Sequence, residues 1–382
     1  MLATAPDFGA VVISSFSVRD VRWPTSLDRI GTDAMNVAGE DSHGRVYLHT
    51  NTEHIGVGWS FANGLGTDLG SITSNFASFH RSFLGGQIRF MSPERGVMQL
   101  AACACLNAIW DLWCKVLGKP LWKLVTDMSP EEFVGVIDFR YITDMITPAE
   151  AMQLLRAAEP GMQARKETAV ANRAVVGYST SVGGLGTPDE EVEGLLRSAM
   201  AEGFNRFKLR LGLGVERDRK RLEIIRSIAG PDAEIYVDAN EQWDVPTALA
   251  YLPQLADYKP RFIEEPTSPD DILGHKRVRD ALKQYGIGVA TGEHVNNRVM
   301  FKQFISEGAI DFLQLDAVRL SGINEILAVL LMAAKHDIPV VPHAGGVGMV
   351  EICSHIATIA YVKVWAKPSM MEYTRHLHGQ SV

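Results

Sequence analysis

Two patterns of apolar and polar residues divide the chain near residue 133. Before it, short alternating runs bounded by polar, glycine-containing stretches predict strands at 10–18, 45–50 and 55–61. One longer apolar run predicts a helix over 94–117, ended by Gly118 and Pro120. The first part of the chain therefore has the pattern of a mixed α+β unit.

Beyond residue 133, short apolar runs alternate with amphipathic helical segments, a pattern typical of a parallel sheet with crossover helices. The predicted strands lie at 134–139, 175–180, 206–211, 234–238, 261–265, 288–292, 312–316 and 339–343. About eight such units favour a closed (β/α) barrel. An open doubly wound sheet is the second choice, and it lacks the glycine-rich fingerprint expected after its first strand.

Composition narrows the class of protein. The chain has 382 residues, 46% of them hydrophobic, which is enough for a large core, and a net charge of −8. A mildly acidic chain is a poor match for nucleic acid or an anionic membrane surface. The apolar run at 326–334 is shorter than the roughly 20 residues that span a bilayer.

The N-terminal residues and the cysteines bear on location. The first ten residues have no basic region of the kind that opens a secretory signal. Cys103, Cys105, Cys114 and Cys353 show no metal-ligand spacing and are expected to be small apolar residues with reduced thiols. Both observations predict a cytoplasmic protein.

Five successive apolar strands each end in an ionisable residue, namely Asp238, Glu264, Glu293, Asp316 and His343. The C-terminal ends of barrel strands meet at one mouth, where barrel enzymes have their active sites. Three neighbouring carboxylates without a cysteine or histidine among them form a hard oxygen site that suits Mg²⁺. A zinc site is expected to include histidine or cysteine.

The remaining ionisable residues of the mouth suggest proton transfer. Asp316 can accept from one nitrogen of His343 and leave the other nitrogen to move a proton. Lys208 and Arg210 are two positions apart, so both are expected on the face of their strand that points to the interior. Two adjacent cations are expected to lower the pKa of Lys208 and make it a usable base. Metal, lysine and the His–Asp pair together predict abstraction of a proton beside a carboxylate.

Six segments resemble the mandelate racemase-like branch of the enolase superfamily, and within it the L-fuconate dehydratases most closely. They are DVRWPTSLDRIGTDAMN, IDFRYITD, VDANEQWDVP, FIEEPTSPDDILGH, TGEHVNNRVMFKQ and PVVPHAGGVGM. With the spacing between them they cover nearly the whole chain. The resemblance implies an α/β fold: an α+β capping domain (1–133), a modified (β/α)7β TIM-type barrel (134–365) and a C-terminal segment (366–382) that returns toward the capping domain.

The resemblance also implies roles for individual residues. Asp238, Glu264 and Glu293 would bind Mg²⁺, and Asp316 with His343 would form the acid/base dyad. Substrate contacts are expected from Glu372, from Asn240 and, in the capping domain, from Trp23, Thr25, Ser26 and the surroundings of Trp59.

Four positions depart from the family pattern. The family has Lys-x-Lys where this chain has Lys208 and Arg210, and an arginine is no ordinary general base because it keeps its proton. Gly184 stands in place of a tryptophan, residues 89–91 differ, and the chain stops soon after His378.

Together these features predict a magnesium-dependent dehydratase that converts an L-fuconate-like acid sugar to its 2-keto-3-deoxy acid. Either Lys208 or His343 would take the C2 proton, and His343 would expel the 3-hydroxyl. The alternatives are a racemase or epimerase of acid sugars, and a catalytically impaired magnesium-binding homologue, for which Arg210 is the reason. The expected partners are a small acid sugar and further copies of the chain, with no nucleic acid and no membrane.

Overall fold

The computed structural model describes residues 11–23, 41–63, 94–171 and 174–378. The predicted substrate contacts Thr25 and Ser26, and the divergent segment 89–91, lie outside these residues. Trp23, the last residue described before the first gap, lies at the end of a strand.

The N-terminal unit contains a three-stranded antiparallel sheet in the order β1-β2-β3. Its strands are β1 (Ile13–Trp23), β2 (Asp41–Thr50) and β3 (Ile55–Asn63). The pairing places Trp23 opposite Asp41 and His43 opposite Phe61. The predicted strands are present, although β1 begins three residues later than expected and continues to Trp23.

Helix α1 (Gly96–Leu117) packs closely against β3. A Cβ atom on Gly58 would lie 2.1 Å from the backbone oxygen of Ala104, so only glycine permits this approach. On another side of the helix, Asn107 Nδ2 donates to the backbone oxygen of Ala317, 3.0 Å away in the barrel. The helix is long and apolar enough to cross a membrane by those criteria alone, but here it lies between the sheet and the barrel.

Seven parallel strands form a second, curled sheet in the order β10-β4-β5-β6-β7-β8-β9. They are β4 (Val175–Ser179), β5 (Arg206–Arg210), β6 (Glu234–Asp238), β7 (Pro260–Glu264), β8 (Gly288–Thr291), β9 (Phe312–Leu313) and β10 (Ser369–Tyr373). Residues 340–343 bridge to β9 through Leu313–Val340 and Asp316–His343. The backbone N–H of Glu372 donates to the oxygen of Pro342, so this segment lies between β9 and β10 and closes the barrel.

Helices surround the barrel and connect its strands. After α1 the chain forms α2 (Leu121–Asp127), α3 (Pro130–Gly135), α4 (Pro148–Ala158), α5 (Met162–Val170), α6 (Asp189–Ala201), α7 (Val215–Ala229), α8 (Val245–Tyr251), α9 (Ile272–Leu282), α10 (Arg298–Ser306), α11 (Gly322–Lys335) and α12 (Met349–Ile359). Short 3-10 turns follow α8 and α9, and a π-helical turn (Ala360–Val364) follows α12. Strand and helix alternate from β4 onward as the sequence predicts.

Aromatic side chains fill the barrel interior below the mouth. Tyr178, Tyr236 and Phe262, from three different strands, pack with Ala290 and Val341 in one buried cluster. The rings of Tyr178 and Tyr236 lie 4.9 Å apart between centroids. The barrel is therefore a packed core rather than a pore, and its open end is the place for a ligand.

One expectation needs correction. Residues 134–139 do not form a strand, because Pro130 at the first helical position and a reciprocal capping box between Ser129 and Glu132 start helix α3 there. The described part of the C-terminal segment adds β10 to the barrel sheet beside β4. The predicted domain boundaries at 133 and 365 stay predictions.

Candidate active site

The structure brings together the five ionisable residues predicted at the strand ends. Asp238 and Glu264 are the last residues of β6 and β7 and pair with each other in register. Glu293 follows β8, and Asp316 and His343 are paired across a parallel bridge. All five are buried, with at most 8% of any one exposed. Three carboxylates therefore share a site with little water to screen their repulsion.

Lys208 lies among these carboxylates. Its Nζ is 3.1 Å from Asp238 Oδ2, 2.9 Å from Glu264 Oε2 and 2.7 Å from Glu372 Oε1. Burial by itself lowers the pKa of Lys208, but the three carboxylates outweigh burial and raise this pKa well above its usual value. In this metal-free arrangement Lys208 is therefore an ammonium group, and its role as a base stays a prediction.

His343 and Asp316 form a hydrogen-bonded pair. The ring Nδ1 lies 2.9 Å from Asp316 Oδ2, and Asp316 Oδ1 accepts from the backbone N–H of Val318 at 2.8 Å. This geometry places the proton on Nδ1 and leaves Nε2 facing the mouth, 3.1 Å from Glu293 Oε2. Burial lowers the pKa of His343, but Glu293, Asp316 and Glu372 raise it above its usual value.

The carboxylates have the properties of a divalent-cation site. Glu264 Oε1 is buried and has no hydrogen-bond partner. Burial and the neighbouring carboxylates raise the pKa of Glu264, and burial also raises that of Asp238. A hard cation held by Asp238, Glu264 and Glu293 would supply the missing partner and offset this repulsion, so the residues present fit Mg²⁺.

Two residues predicted to contact substrate also support the residues beside them. Asn240 donates to Asp238 from its backbone N–H at 2.9 Å and from its side-chain Nδ2 at 3.3 Å, which leaves its buried Oδ1 without a partner. Glu372 binds Lys208 and accepts from the backbone N–H of Ala344 at 2.8 Å. Arg210 pairs with Asp238 in the sheet register, and its charge partly opposes the burial that raises the pKa of that carboxyl.

The N-terminal sheet reaches the mouth through Phe61. The Phe61 ring stacks on the His343 ring at 6.5 Å between centroids. The Arg319 guanidinium lies 4.2 Å from the centroid of the Phe61 ring. Arg319 in turn lies 3.4 Å from Glu293 Oε1. The antiparallel sheet thus contacts His343, the predicted acid/base residue, directly.

Two polar residues on the same face of β2 have buried side-chain nitrogens without a hydrogen-bond partner. His43 is fully buried, and neither of its ring nitrogens has a partner. Burial, aided by Arg45, lowers the pKa of His43 to about 3, so its ring is neutral. Arg45 is also buried, and its Nε and Nη2 have no partner. Trp23, one of the predicted contacts, packs 4.4 Å from the His43 ring.

The sequence patterns had singled out Trp23 and Trp59 but not His43, Arg45 or Phe61. The signal was present, because His43 and Arg45 are polar residues on the face of β2 opposite to the apolar Val46 and Leu48. A buried polar face on a strand is informative because burying unsatisfied polar atoms costs free energy.

A second ionisable cluster lies beside the five strand-end residues and was also missed. His294 Nδ1 is 2.8 Å from Glu241 Oε1 and 2.7 Å from Glu265 Oε1. Among the residues that the structure describes, these three have ligand atoms close enough to hold a metal ion. Each follows a predicted Mg²⁺ ligand by one to three positions, which places the cluster on the same rim of the barrel.

The fold and the site together define a carboxylate-rich barrel enzyme of the kind that moves protons beside a substrate carboxylate. The family model described as "Enolase C-terminal domain-like" matches residues 191–380. L-galactonate dehydratase of Hypocrea jecorina is 51% identical over 96% of this chain and 86% of that protein. Mitochondrial enolase superfamily member 1 of Bos taurus is 45% identical over 96% of this chain and 87% of its own length.

Solved structures agree with the sequence relatives. The crystal structure of human mitochondrial enolase superfamily member 1 superposes with a TM-score of 0.90 at 44% identity, covering 96% of this chain and 88% of that one. L-talarate/galactarate dehydratase of Salmonella typhimurium LT2, liganded with Mg and L-lyxarohydroxamate, has the same fold at 23% identity, with a TM-score of 0.69 and coverage of 94% and 81%. The chain belongs to the enolase superfamily.

Proposed function

We propose that this protein is a magnesium-dependent hydro-lyase that dehydrates an acid sugar to its 2-keto-3-deoxy acid. The observation that carries the proposal is the buried His343–Asp316 pair, with Nε2 of His343 3.1 Å from Glu293, one of three carboxylates fit for a divalent cation. Relatives named as dehydratases of L-galactonate and of L-talarate/galactarate support this class of reaction.

We infer that His343 is the base for the C2 proton. Without metal, three carboxylates hold the proton on Lys208, and Arg210 keeps its proton because a guanidinium is a very weak acid. Nε2 of His343 is then the group that removes the C2 proton, while Asp316 holds the ring and stabilises the imidazolium. A divalent cation bound by Asp238, Glu264 and Glu293 would hold the substrate carboxylate and stabilise the negative charge that develops on it.

The same imidazolium can complete the elimination. Having taken the C2 proton, His343 donates a proton to the departing 3-hydroxyl, which leaves as water, and the resulting enol tautomerises to the 2-keto acid. Because one group serves both steps, the C2 hydrogen and the 3-hydroxyl leave from the same face of the substrate. Lys208 and Arg210 contribute positive charge near the carboxylates.

We propose that the antiparallel sheet selects among acid sugars. His43 and Arg45 lie on the face that reaches the mouth through Phe61, and their unpartnered nitrogens can donate to the hydroxyl or carboxyl groups at the far end of a substrate. L-fuconate itself, a homo-oligomeric state and a cytoplasmic location stay predictions.

A racemase or epimerase is less well supported. Reaction in both directions at C2 needs a base on each face of that carbon. The groups available opposite His343 are Lys208, with its raised pKa, and Arg210. Neither is suited to take a proton.

A panel of aldonic and aldaric acids, incubated with and without Mg²⁺ and assayed for 2-keto acid, tests the proposal. We expect magnesium-dependent product from one or a few acids, and loss of product in His343→Asn and Asp316→Asn with Mg²⁺ binding retained. Absence of product from every acid by a protein that binds Mg²⁺ would favour the impaired, binding-only homologue instead.

A further inference from the structure

Glu241, Glu265 and His294 place three possible metal-ligand atoms around one point. The Nδ1 atom of His294 is 2.8 Å from one carboxylate and 2.7 Å from the other. A single ring N–H donates well to one acceptor at a time, so one of the two carboxylates is left without its bond. The arrangement places one nitrogen and two carboxylate oxygens within 4.8 Å of one another.

A second observation comes from Glu265. Its side chain is fully buried and enters the cluster through Oε1, yet its other oxygen, Oε2, has no hydrogen-bond partner. A buried carboxylate oxygen without a partner carries a desolvation cost that a bound cation removes. Glu265 therefore points to a ligand and not only to a surplus of acidic residues.

The cluster is open on one side. The side chains of His294 and Glu241 are 39% and 24% exposed, whereas that of Glu265 is not exposed at all. An ion can thus enter from solvent past the histidine and meet the buried carboxylate at the back. The cluster shares no residue with Asp238, Glu264 and Glu293, although Glu293 Oε1 lies only 3.7 Å from His294 Nδ1.

We propose that Glu241, Glu265 and His294 form a second divalent-cation site beside the first. One imidazole nitrogen and two carboxylate oxygens are a donor set for Mn²⁺ or Zn²⁺, whereas the all-carboxylate site suits Mg²⁺. The three ligands come from the loops after β6, β7 and β8, so the strands that position the first site also position the second. The second ion lies at the rim, where it neutralises charge behind Glu293.

Metal stoichiometry tests this site without any substrate. The full chain, stripped of metal, is dialysed to equilibrium against Mn²⁺, and in parallel against Zn²⁺, and the bound metal is counted per chain. We expect two equivalents for the wild type and one for both Glu241→Gln and His294→Gln. Asp238→Asn should lose the other equivalent and keep the one at the rim.

His336→Gln is the matched control, because His336 follows the last residue of α11 at the opposite end of the barrel and should leave two equivalents. Thermal unfolding of each metal-free variant shows that it is folded. A wild type that binds a single equivalent, or a His294→Gln variant that still binds two, overturns the proposal. A Mn²⁺ anomalous-scattering peak between the three side chains would support it.

The metal count and the dehydratase assay can fail independently of each other. The count is made without an acid sugar, so failure to dehydrate any substrate leaves it unchanged. Conversely, a protein with one metal equivalent that still produces 2-keto acid would refute the second site and leave the dehydratase intact.

Discussion

Lys208 is buried within 3.1 Å of carboxylate oxygens from Asp238, Glu264 and Glu372. Removing one partner of a buried charge network leaves the others uncompensated, which is costly even where the intact network adds little stability. In the metal-free protein this ammonium balances the carboxylates. A bound divalent cation does the same, so lysine and metal are partly exchangeable as a source of positive charge.

Lys208→Met should therefore lower the free energy of unfolding of the metal-free protein by about 3–5 kcal/mol. Urea unfolding in EDTA measures this loss, and saturating Mg²⁺ should restore part of it because the cation binds the folded chain. Lys302→Met is the control, since Lys302 pairs with the exposed Asp144 and should cost no more than about 1 kcal/mol. Equal losses in the two variants would contradict the charge balance described for the mouth.

Gly345 fixes the position of the His343 ring. A Cβ atom at residue 345 would lie 2.4 Å from His343 Nε2, so any side chain there must displace the imidazole. Displacing a catalytic group by about 1 Å can cost on the order of 10²-fold in rate.

Gly345→Ala should accordingly lower kcat on the identified substrate by about 10²-fold, with a smaller change in KM. Steady-state kinetics on the acid sugar found in the panel makes the measurement. Gly194→Ala serves as the control, because a Cβ on Gly194 in α6 meets nothing within 4 Å and alanine favours a helix. Unchanged kcat in Gly345→Ala would show that the ring position is not set by this contact.

At the level of elements, strand β2 carries a buried neutral histidine into the sheet. The unfolded chain protonates His43 near pH 6.5, whereas the folded chain protonates it only near pH 3. Below pH 6.5 the unfolded state thus binds a proton that the folded state excludes. The free energy of unfolding is therefore unaffected by His43 above pH 6.5. It decreases as the pH falls from 6.5 toward 3, at a slope of up to about 1.4 kcal/mol per pH unit.

His43→Leu should remove this part of the acid sensitivity. The difference in unfolding free energy between variant and wild type should be constant above pH 7 and should shift toward the variant as the pH falls from 6.5 to 4.5. Urea titrations at several pH values give the difference directly. Parallel curves over the whole range would show that His43 is protonated in the folded protein.

The close approach of β8 to β9 depends on Gly292. Its φ is +153°, and a Cβ atom there would lie 2.5 Å from the backbone carbon of Gln314. Gly292→Ala should destabilise the protein by about 1–3 kcal/mol because backbone rather than a flexible side chain must move. Chemical denaturation measures this, again with Gly194→Ala as control, and a neutral Gly292→Ala would mean that the two strands can separate.

Strand ends were the elements best predicted from sequence. Each apolar run that ends in Asp238, Glu264 or Glu293 predicts both a strand and the candidate site residue at its end. The pattern alone therefore places these three residues at one mouth of the barrel. Residues 134–139 misled the prediction because their apolar residues pack in the core after a short helix with a strong N-cap. Strand β10 was missed because only its pairing with β4, far away in sequence, distinguishes it from a loop.

Contacts across elements could not be predicted in the same way. The raised pKa of Lys208 depends on Glu372, which β10 brings to the interior from 164 positions further along the chain. The cluster of His294 with Glu241 and Glu265 likewise needs three loops in a particular arrangement. Sequence patterns show which residue types occur and which face of a strand or helix they lie on, whereas distances between separate loops are set by tertiary packing.

In the molecule as a whole, the antiparallel sheet packs on the mouth of the barrel at His343. Phe61 of the antiparallel sheet rests on His343 of the barrel, and β10 completes the ring of strands beside β4. The human relative has this architecture at 44% identity. At the mouth, Arg210 stands two positions after Lys208, and His294 directly follows Glu293.

The measurement that bears most directly on His343 as the base is exchange of the C2 hydrogen in heavy water. The acid sugar identified in the panel is incubated with Mg²⁺ and wild-type or His343→Asn protein, and C2 deuteration and 2-keto acid are followed by NMR and mass spectrometry. We expect the wild type to form product and His343→Asn to lose both product and C2 exchange. Exchange at C2 that survives in His343→Asn would show that another group takes the proton, and would contradict the assignment of His343 as the base.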